Sequence, residues 1–263
     1  GIRWIATWND PYPVIKYPVP YGKGCDAKLN ILDKLQLRIM EHADIHVFPN
    51  IRIRDYMLKY LKTRYEQTII IPHIVNNANT GSNNRLSSKV RLKLIHSGNI
   101  LPPRDPHNLI DAINSLDEEI IKNLSITILG VNNTADFAIA NNKFDVFHFH
   151  PPVTYSESIT ALKDYDIAMI VEAPCDEGIF LPTKVSDFMQ NNIPIWALSP
   201  KNGVLNDLHR NGNIPYFSDI SDPSSIKDTI VSIYKDFQSK CIRQNVVPIE
   251  YTEDYIVRQY KDL

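Results

Sequence analysis

The residues best placed to do chemistry are Arg104 and Lys184, with the carboxylates Asp176, Glu177 and Asp187 close to the second of them in sequence. Lys184 lies in EAPCDEGIFLPTKVSDFMQNNIPIWAL (172–198), between an apolar run at 167–171 and another at 193–198. The order reads as strand, loop, helix, strand, with the polar groups gathered where a strand's carboxyl end meets a helix's amino end. Open α/β sheets bind ligands in that crevice, and helix amino termini attract phosphate. Lys184 would add a point charge for phosphate there. Upstream, HSGNILPPRDP (96–106) places Gly98 at a strand-to-loop turn and Arg104 just ahead of a helix that Asp105 would cap and Pro106 would open. An Arg so placed can hold a diphosphate with two parallel hydrogen bonds, the helix dipole assisting. A solvated surface Arg fits this one segment equally well. The segment is neither a GxGxxG dinucleotide fingerprint nor a P-loop, since no Gly-Lys-Ser/Thr follows.

The remaining reactive side chains point to little chemistry. Cys25, Cys175 and Cys241 are odd in number, far apart and without CxxC spacing, which suggests a reducing compartment and no structural zinc. Cys175 has no flanking His and reads as a small packed side chain. His148 and His150 alternate in FHFH without a carboxylate or Cys at ligand spacing, so a packing role is expected rather than a metal. His73 opens a polar stretch and gives no reason to be made catalytic. No pair of acids suggests the two-carboxylate machinery of a hydrolase.

The elements that must position these groups follow from periodicity. The chain has 263 residues, 43% hydrophobic and 22% charged, with a net charge of -2, which gives no electrostatic case for nucleic acid or an anionic membrane. No run approaches the apolar length of a membrane span. A strand is expected at 3–8, ending at Asn9-Asp10-Pro11, then a Pro- and Tyr-rich loop to Lys23. Apolar residues at helical spacing (Leu29, Leu32, Leu35, Ile39, Met40) predict an amphipathic helix over 26–44. Strands at 45–48 and 67–71 flank a helix at 54–61. Three strands make a poor free-standing sheet, and the chain starts almost directly on one, so this block is expected to be the end of a longer domain.

Residues 76–90 (NNANTGSNNRLSSKV) are polar and aperiodic and read as a linker. Strands then alternate with helices: strands near 92–96, 125–129, 146–149, 167–171, 193–198 and 215–217, helices near 106–116, 135–141, 156–162, from 183, 202–210 and 223–238. Continuous apolar strands alternating with helices predict an α/β fold with a doubly wound parallel, Rossmann-like sheet over 91–240. A charged, Tyr-rich helix at 251–263 either packs back toward the first block or frays. The implied organisation is a first domain remnant at 1–75, the linker, the second domain, and the carboxy-terminal segment 241–263.

The succession SGNILPPRDPHNLIDAI, ITILG, VTYSESITALKDYDIAMIV and LPTKVSDFMQNNIPIWAL resembles the carboxy-terminal domain of retaining GT-B glycosyltransferases. More narrowly, it is similar to the bacterial group that builds capsule, O-antigen and other surface polysaccharides. That group shows Gly, several residues, then Arg or Lys, and closes on Pro-Ser/Thr-Lys, two residues, Glu-Tyr and Gly-Lys-Pro-Val. The likeness covers roughly 92–240, and the opening block is similar to the end of such an enzyme's amino-terminal domain.

The resemblance implies a donor-binding set of Gly98, Asn99, Arg104, Tyr155, Pro182, Thr183, Lys184 and Asp187. Arg104 would grip the donor's diphosphate, Thr183 and Lys184 would lie at the diphosphate or sugar, and Asp187 would contact the ribose. Tyr155 would frame the base. Asn99 stands where many relatives carry a second basic residue, Asp187 is a methylene shorter than the usual Glu, and Asn191-Asn192-Ile193-Pro194 replaces a Gly-containing turn. Catalytic candidates are Glu177, toward the donor sugar, and Asp10, on the acceptor side, where the plainer reading is a loop cap. The implied partners are a UDP- or GDP-linked sugar and a glycan or lipid-linked acceptor. No metal or other cofactor is expected, nor any nucleic-acid partner. The implied setting is cytoplasmic, with peripheral contact at the inner membrane face through the absent part of the first domain, without which this stretch would turn over little. Two rival readings share the donor pocket: a sugar-nucleotide epimerase of the same fold, and a non-catalytic partner that binds nucleotide or protein.

Overall fold

The computed structural model describes residues 2–76, 91–130 and 145–263. The expected linker, Asn76 apart, and the helix expected at 135–141 lie outside the described residues. The chain forms two parallel sheets. The first holds β1 (Ile5–Thr7), β2 (Ile45–Phe48) and β3 (Thr68–Ile70), in the order β1-β2-β3. The second holds β4 (Leu92–Ser97), β5 (Leu124–Leu129), β6 (Phe147–His150), β7 (Ile167–Val171), β8 (Ile195–Ser199) and β9 (Tyr216–Asp219), in the order β6-β5-β4-β7-β8-β9.

Alternation within the apolar runs builds a core on each face of the larger sheet. Along β7, Ile167, Met169 and Val171 face one cluster while Ala168 and Ile170 face the other. In β8, Trp196 and Leu198 join the first, Ile195 and Ala197 the second. β5, β7 and β8 are buried throughout, as strands covered by helices on both sides must be. The first face is covered by α3 (His107–Asn114) and α8 (Pro223–Gln238), the second by α6 (Lys184–Gln190) and α7 (Val204–Arg210). The buried Trp196 indole donates to Ser218 Oγ at 2.9 Å, so its polar atom is satisfied. Two short helices complete the second sheet's surroundings, α4 (Glu118–Lys122) and α5 (Tyr155–Ala161). The order in which successive strands are added reverses between β4 and β7, which pair in parallel with Leu94 opposite Ile167. Their carboxyl ends therefore open into the crevice where doubly wound sheets hold ligands.

Several boundaries differ from the sequence expectation for local reasons. The helix expected over 26–44 is α1 (Ile31–Met40), started by the Asn30 side chain, which accepts the Asp33 amide at 2.8 Å. Its apolar stripe is only partly a core face: Leu32, Leu35 and Ile39 are more than half exposed, whereas Leu37 is buried and Met40 packs against the same cluster. Helix α2 (Ile51–Met57) begins earlier than expected because Asn50 accepts the Ile53 amide at 3.0 Å. In α3, Pro106 occupies the cap position that Asp105 was expected to fill, although Asp105 still accepts the His107 amide at 2.9 Å. Helix α4 has barely more than one turn, too short to leave a periodic signal. The last helix, α9 (Glu253–Asp262), packs back: Ile256 joins Val47 and Ile71 under the first sheet, and Val75 pairs with Thr252. Among the described residues, no helix is long and apolar enough to cross a membrane.

The loop after β7 ties the two sheets together. Ile179 belongs to the second sheet's sequence but lies, fully buried, in the cluster of Trp8, Phe48, Ile53 and Met57. Asn50 Nδ2 donates to its carbonyl at 3.0 Å, so the residue that caps α2 also holds the intruding loop. Alongside, Arg52 forks onto Asp207 at 2.6 and 3.0 Å and reaches Glu177 at 3.3 Å and Asn202 at 2.7 Å. Phe180 packs against Tyr17 and Tyr21, with ring centroids 5.3 and 5.0 Å apart.

Truncating Ile179 to Ala removes buried apolar volume that links both sheets and should cost about 2–5 kcal/mol in urea unfolding. Within each single-tryptophan variant, retaining Trp8 or Trp196, fluorescence and backbone circular dichroism should report the same midpoint, because the sheets share that core. Separate midpoints, or a cost under about 0.5 kcal/mol, would refute the shared core.

Candidate functional site

A cleft of about 510 Å³ opens between the two sheets, lined on one side by Arg104, Glu172 and the 180–184 segment, and on the other by Asn9, Asp10, Tyr17, Tyr21 and His73. Its second-sheet wall is made by the loops after β4 and β7, the two strands that flank the reversal of strand order.

Gly98 follows β4 with φ +132°, a conformation that L side chains rarely adopt. A Cβ there would meet Cε and Nζ of Lys184 at 3.1 Å. The ammonium thus lies directly over the glycine backbone, and the missing side chain is what admits it. Beneath this turn His96 is buried, its Nδ1 at 3.2 Å from the Met169 carbonyl. Burial first, and then the positive charges of Lys184 and Arg104, push its pKa down to about 3. The imidazole is therefore neutral, and the cationic charge of the site stays on Lys184 and Arg104.

These two cations oppose one another. Burial lowers the Lys184 pKa and the nearby Arg104 lowers it further, while Glu172 and Asp187 work the other way. Arg104 Nη2 lies 3.5 Å from Glu172 Oε1. Tyr21 donates its hydroxyl to Glu172 Oε2 at 2.7 Å and accepts the Ala173 amide at 2.9 Å. Burial, then the adjacent Glu172, drives the Tyr21 hydroxyl's pKa well up, so it stays protonated and able to donate.

Of the residues marked out by sequence, Arg104, Pro182, Thr183, Lys184 and Asp10 line the cleft. Gly98 lies beneath Lys184, and Asp187 is near enough to influence its charge. Asp187 also accepts from Tyr155 at 2.7 Å, with Tyr155 otherwise exposed, so these two form a polar pair beside the cleft. Asn99 and Glu177 do not line it. Asn99 Oδ1 lies toward Gly130, and Glu177 is held by Arg52 on the far side of the loop. Desolvation in the cleft raises the Asp10 carboxyl pKa, with His73 opposing, and lowers the pKa of His73. His73, given no chemical part by sequence, is thus a cleft residue, with the Leu181 backbone and then the Asp10 and Asp187 carboxylates opposing the fall in its pKa. Cys175 is only partly exposed, and burial pushes its thiol up to about 11, which leaves it a poor nucleophile. His148 lies on edge strand β6, near Asp145, and no cluster suited to a metal ion occurs among the described residues.

Sequence reasoning passed over Tyr21, Glu172 and His73. Glu172 had a usable signal, as the first residue after a buried strand next to the switch point. Tyr21 had none, since it sits in an aperiodic loop and meets a residue far along the chain.

No protein-family model matches the sequence, and no curated protein matches it. Solved structures do. A sucrose-phosphate synthase from Thermosynechococcus elongatus superposes with a TM-score of 0.65 at 13% identity, over 91% of this chain and 60% of that one. The fold is GT-B. A mutant of S. aureus TarM in complex with Fondaparinux, alpha-GlcNAc-glycerol and UDP gives 0.63 at 12% identity, over 99% of this chain and 50% of its own. WaaG, a glycosyltransferase involved in lipopolysaccharide biosynthesis, gives 0.58 at 13% identity, over 92% and 70%. The chain thus spans 60% and 50% of the first two of these proteins.

The neutral His96 makes a pH prediction. The unfolded chain binds a proton near the usual 6.5, whereas the folded chain refuses it down to about 3. Unfolding therefore takes up a proton in that window. The histidine's share of stability is complete above about pH 6.5 and is lost as pH falls, by at most about 1.4 kcal/mol per pH unit. His96→Gln should flatten the pH dependence of urea unfolding between about pH 4 and 6 by one proton's worth; equal slopes in the two proteins would contradict the assignment.

Proposed function

We propose that this chain carries the donor-binding part of a glycosyltransferase that moves a sugar from a nucleotide-sugar to a glycan or lipid-linked acceptor. One observation carries the reading: Lys184 lies over Gly98 beside Arg104, two mutually repelling cations at the switch point of a GT-B sheet. Such a pair is relieved by an anion with two charges, and a nucleoside diphosphate supplies it. Support for that ligand comes from the TarM mutant, whose structure holds UDP.

In this reading Arg104 and Lys184 contact the diphosphate and take up the negative charge that develops on it as the glycosidic bond breaks. That is the work a divalent metal would otherwise do, so no metal is required. Asp187, steadied by Tyr155, is available to the ribose hydroxyls, and Thr183 and Pro182 shape the wall between. Asp10 and His73 face the donor from the opposite sheet, where a carboxyl and a neutral imidazole can meet the sugar or the incoming hydroxyl. Glu177, tied to Arg52, braces the loop instead of facing the sugar. Retention at the anomeric carbon, surface polysaccharide as the product, and a cytoplasmic site of action facing the membrane belong to the same proposal and rest on the sequence resemblance.

Calorimetric titration with UDP, GDP, ADP and CMP in EDTA tests it. One nucleoside diphosphate should bind saturably without metal. Arg104→Ala should weaken that binding about 10–100-fold, the scale of a charge-assisted contact. Absence of binding by a folded protein would sink the reading in favour of a non-catalytic role.

A further inference from the structure

Arg104 does not close onto its carboxylate. Its nearest approach to Glu172 is 3.5 Å, through one oxygen only, longer than the 2.7–2.9 Å typical of charge-assisted pairs. The second oxygen, Oε2, is held at 2.7 Å by the Tyr21 hydroxyl, which is fixed in turn by the Ala173 amide at 2.9 Å. Glu172 is buried, with little freedom to choose other partners, and Arg104 keeps about a third of its side chain exposed to the cleft. The Tyr21 ring also faces the Arg104 guanidinium at 5.9 Å and meets Phe180 edge-on.

We infer that Tyr21 is a positioning residue that sets the anion affinity of the cleft by holding Glu172 away from a two-pronged pair with Arg104. The inference rests on the reading of the cleft as a diphosphate site. A carboxylate free to take both prongs of Arg104 would cancel one of the two charges that an incoming phosphate needs. With one of its oxygens committed to Tyr21, Glu172 offsets part of the repulsion between Arg104 and Lys184 and leaves guanidinium N–H groups for the ligand. The hydroxyl that does this comes from the Pro- and Tyr-rich loop between β1 and α1, so the first sheet's own loop tunes a site built on the second.

Two substitutions with opposite expected signs separate this from a merely structural contact. Titrations would use pyrophosphate and the nucleoside diphosphate that binds wild type. Tyr21→Phe keeps the ring and should raise Kd about 3–10-fold, because Glu172 turns onto Arg104. Glu172→Gln keeps the shape, removes the competing charge and should lower Kd by a similar factor. In the double variant the Tyr21→Phe penalty should vanish, since there is no longer a carboxylate to restrain. Wild-type affinity in Tyr21→Phe, or the same weakening in both backgrounds, would overturn the inference while leaving the diphosphate reading intact. Failure of the folded wild type to bind either probe would overturn the diphosphate reading itself and the inference with it.

Discussion

The burial of Ile179 in the first sheet's core is the interaction on which the rest of the arrangement depends. A loop that leaves the second sheet at Val171 returns to it as α6, and between those points one fully buried side chain anchors it in the other sheet. Lys184 follows five residues later, so the plug fixes where the ammonium lies. The surrounding polar contacts point the same way. Asn50 holds the Ile179 carbonyl, and Arg52 gathers Asp207, Glu177 and Asn202 into one network. Because the apolar plug and the half-buried ion pairs act at the same place, the two walls of the cleft are held together by the fold and need no ligand to bring them together.

What the fold then concentrates is positive charge that it does not fully neutralise. Two cations in a partly buried cleft are costly unless compensated. The compensation is incomplete by design of the geometry: Glu172 sits at one-oxygen range, Asp187 is shared with Tyr155, and His96 beneath them is uncharged. Donors arranged in advance around a place where negative charge belongs need little reorganisation when that charge arrives.

Much of the architecture was legible from periodicity. The strands at 45–48 and 167–171 and the helix at 223–238 have the boundaries that apolar spacing and cap residues suggest, since buried parallel strands and long capped helices leave strong local signals. The place of Arg104 and Lys184 beside the cleft was legible for the same reason: both follow, in the chain, strands that flank the switch point. The pairing of Glu177 with Arg52 could not be read from sequence, because a loop residue's direction is set by its partner and Arg52 lies 125 positions away. Tyr21 was invisible for the same cause, with Glu172 at a separation of 151. In α1 the sequence carried a helical stripe correctly, but periodicity reports that a face is apolar and cannot say whether anything covers it.

The order of the larger sheet has a consequence for its birth on the ribosome. β4, β5 and β6 are made first and can pair among themselves, yet β4 is an inner strand whose other partner, β7, is completed on the order of 20 residues after β6. At synthesis rates of about 5–20 residues per second, β4 then presents a bare parallel edge for some seconds. That edge carries Leu92, Leu94 and Ile95, all fully buried in the finished protein, and an unpaired apolar edge is a template for the wrong neighbour. The strand order thus sets a demand on synthesis that the stability of the final fold does not meet: the edge of β4 must stay clear of other strands until β7 emerges.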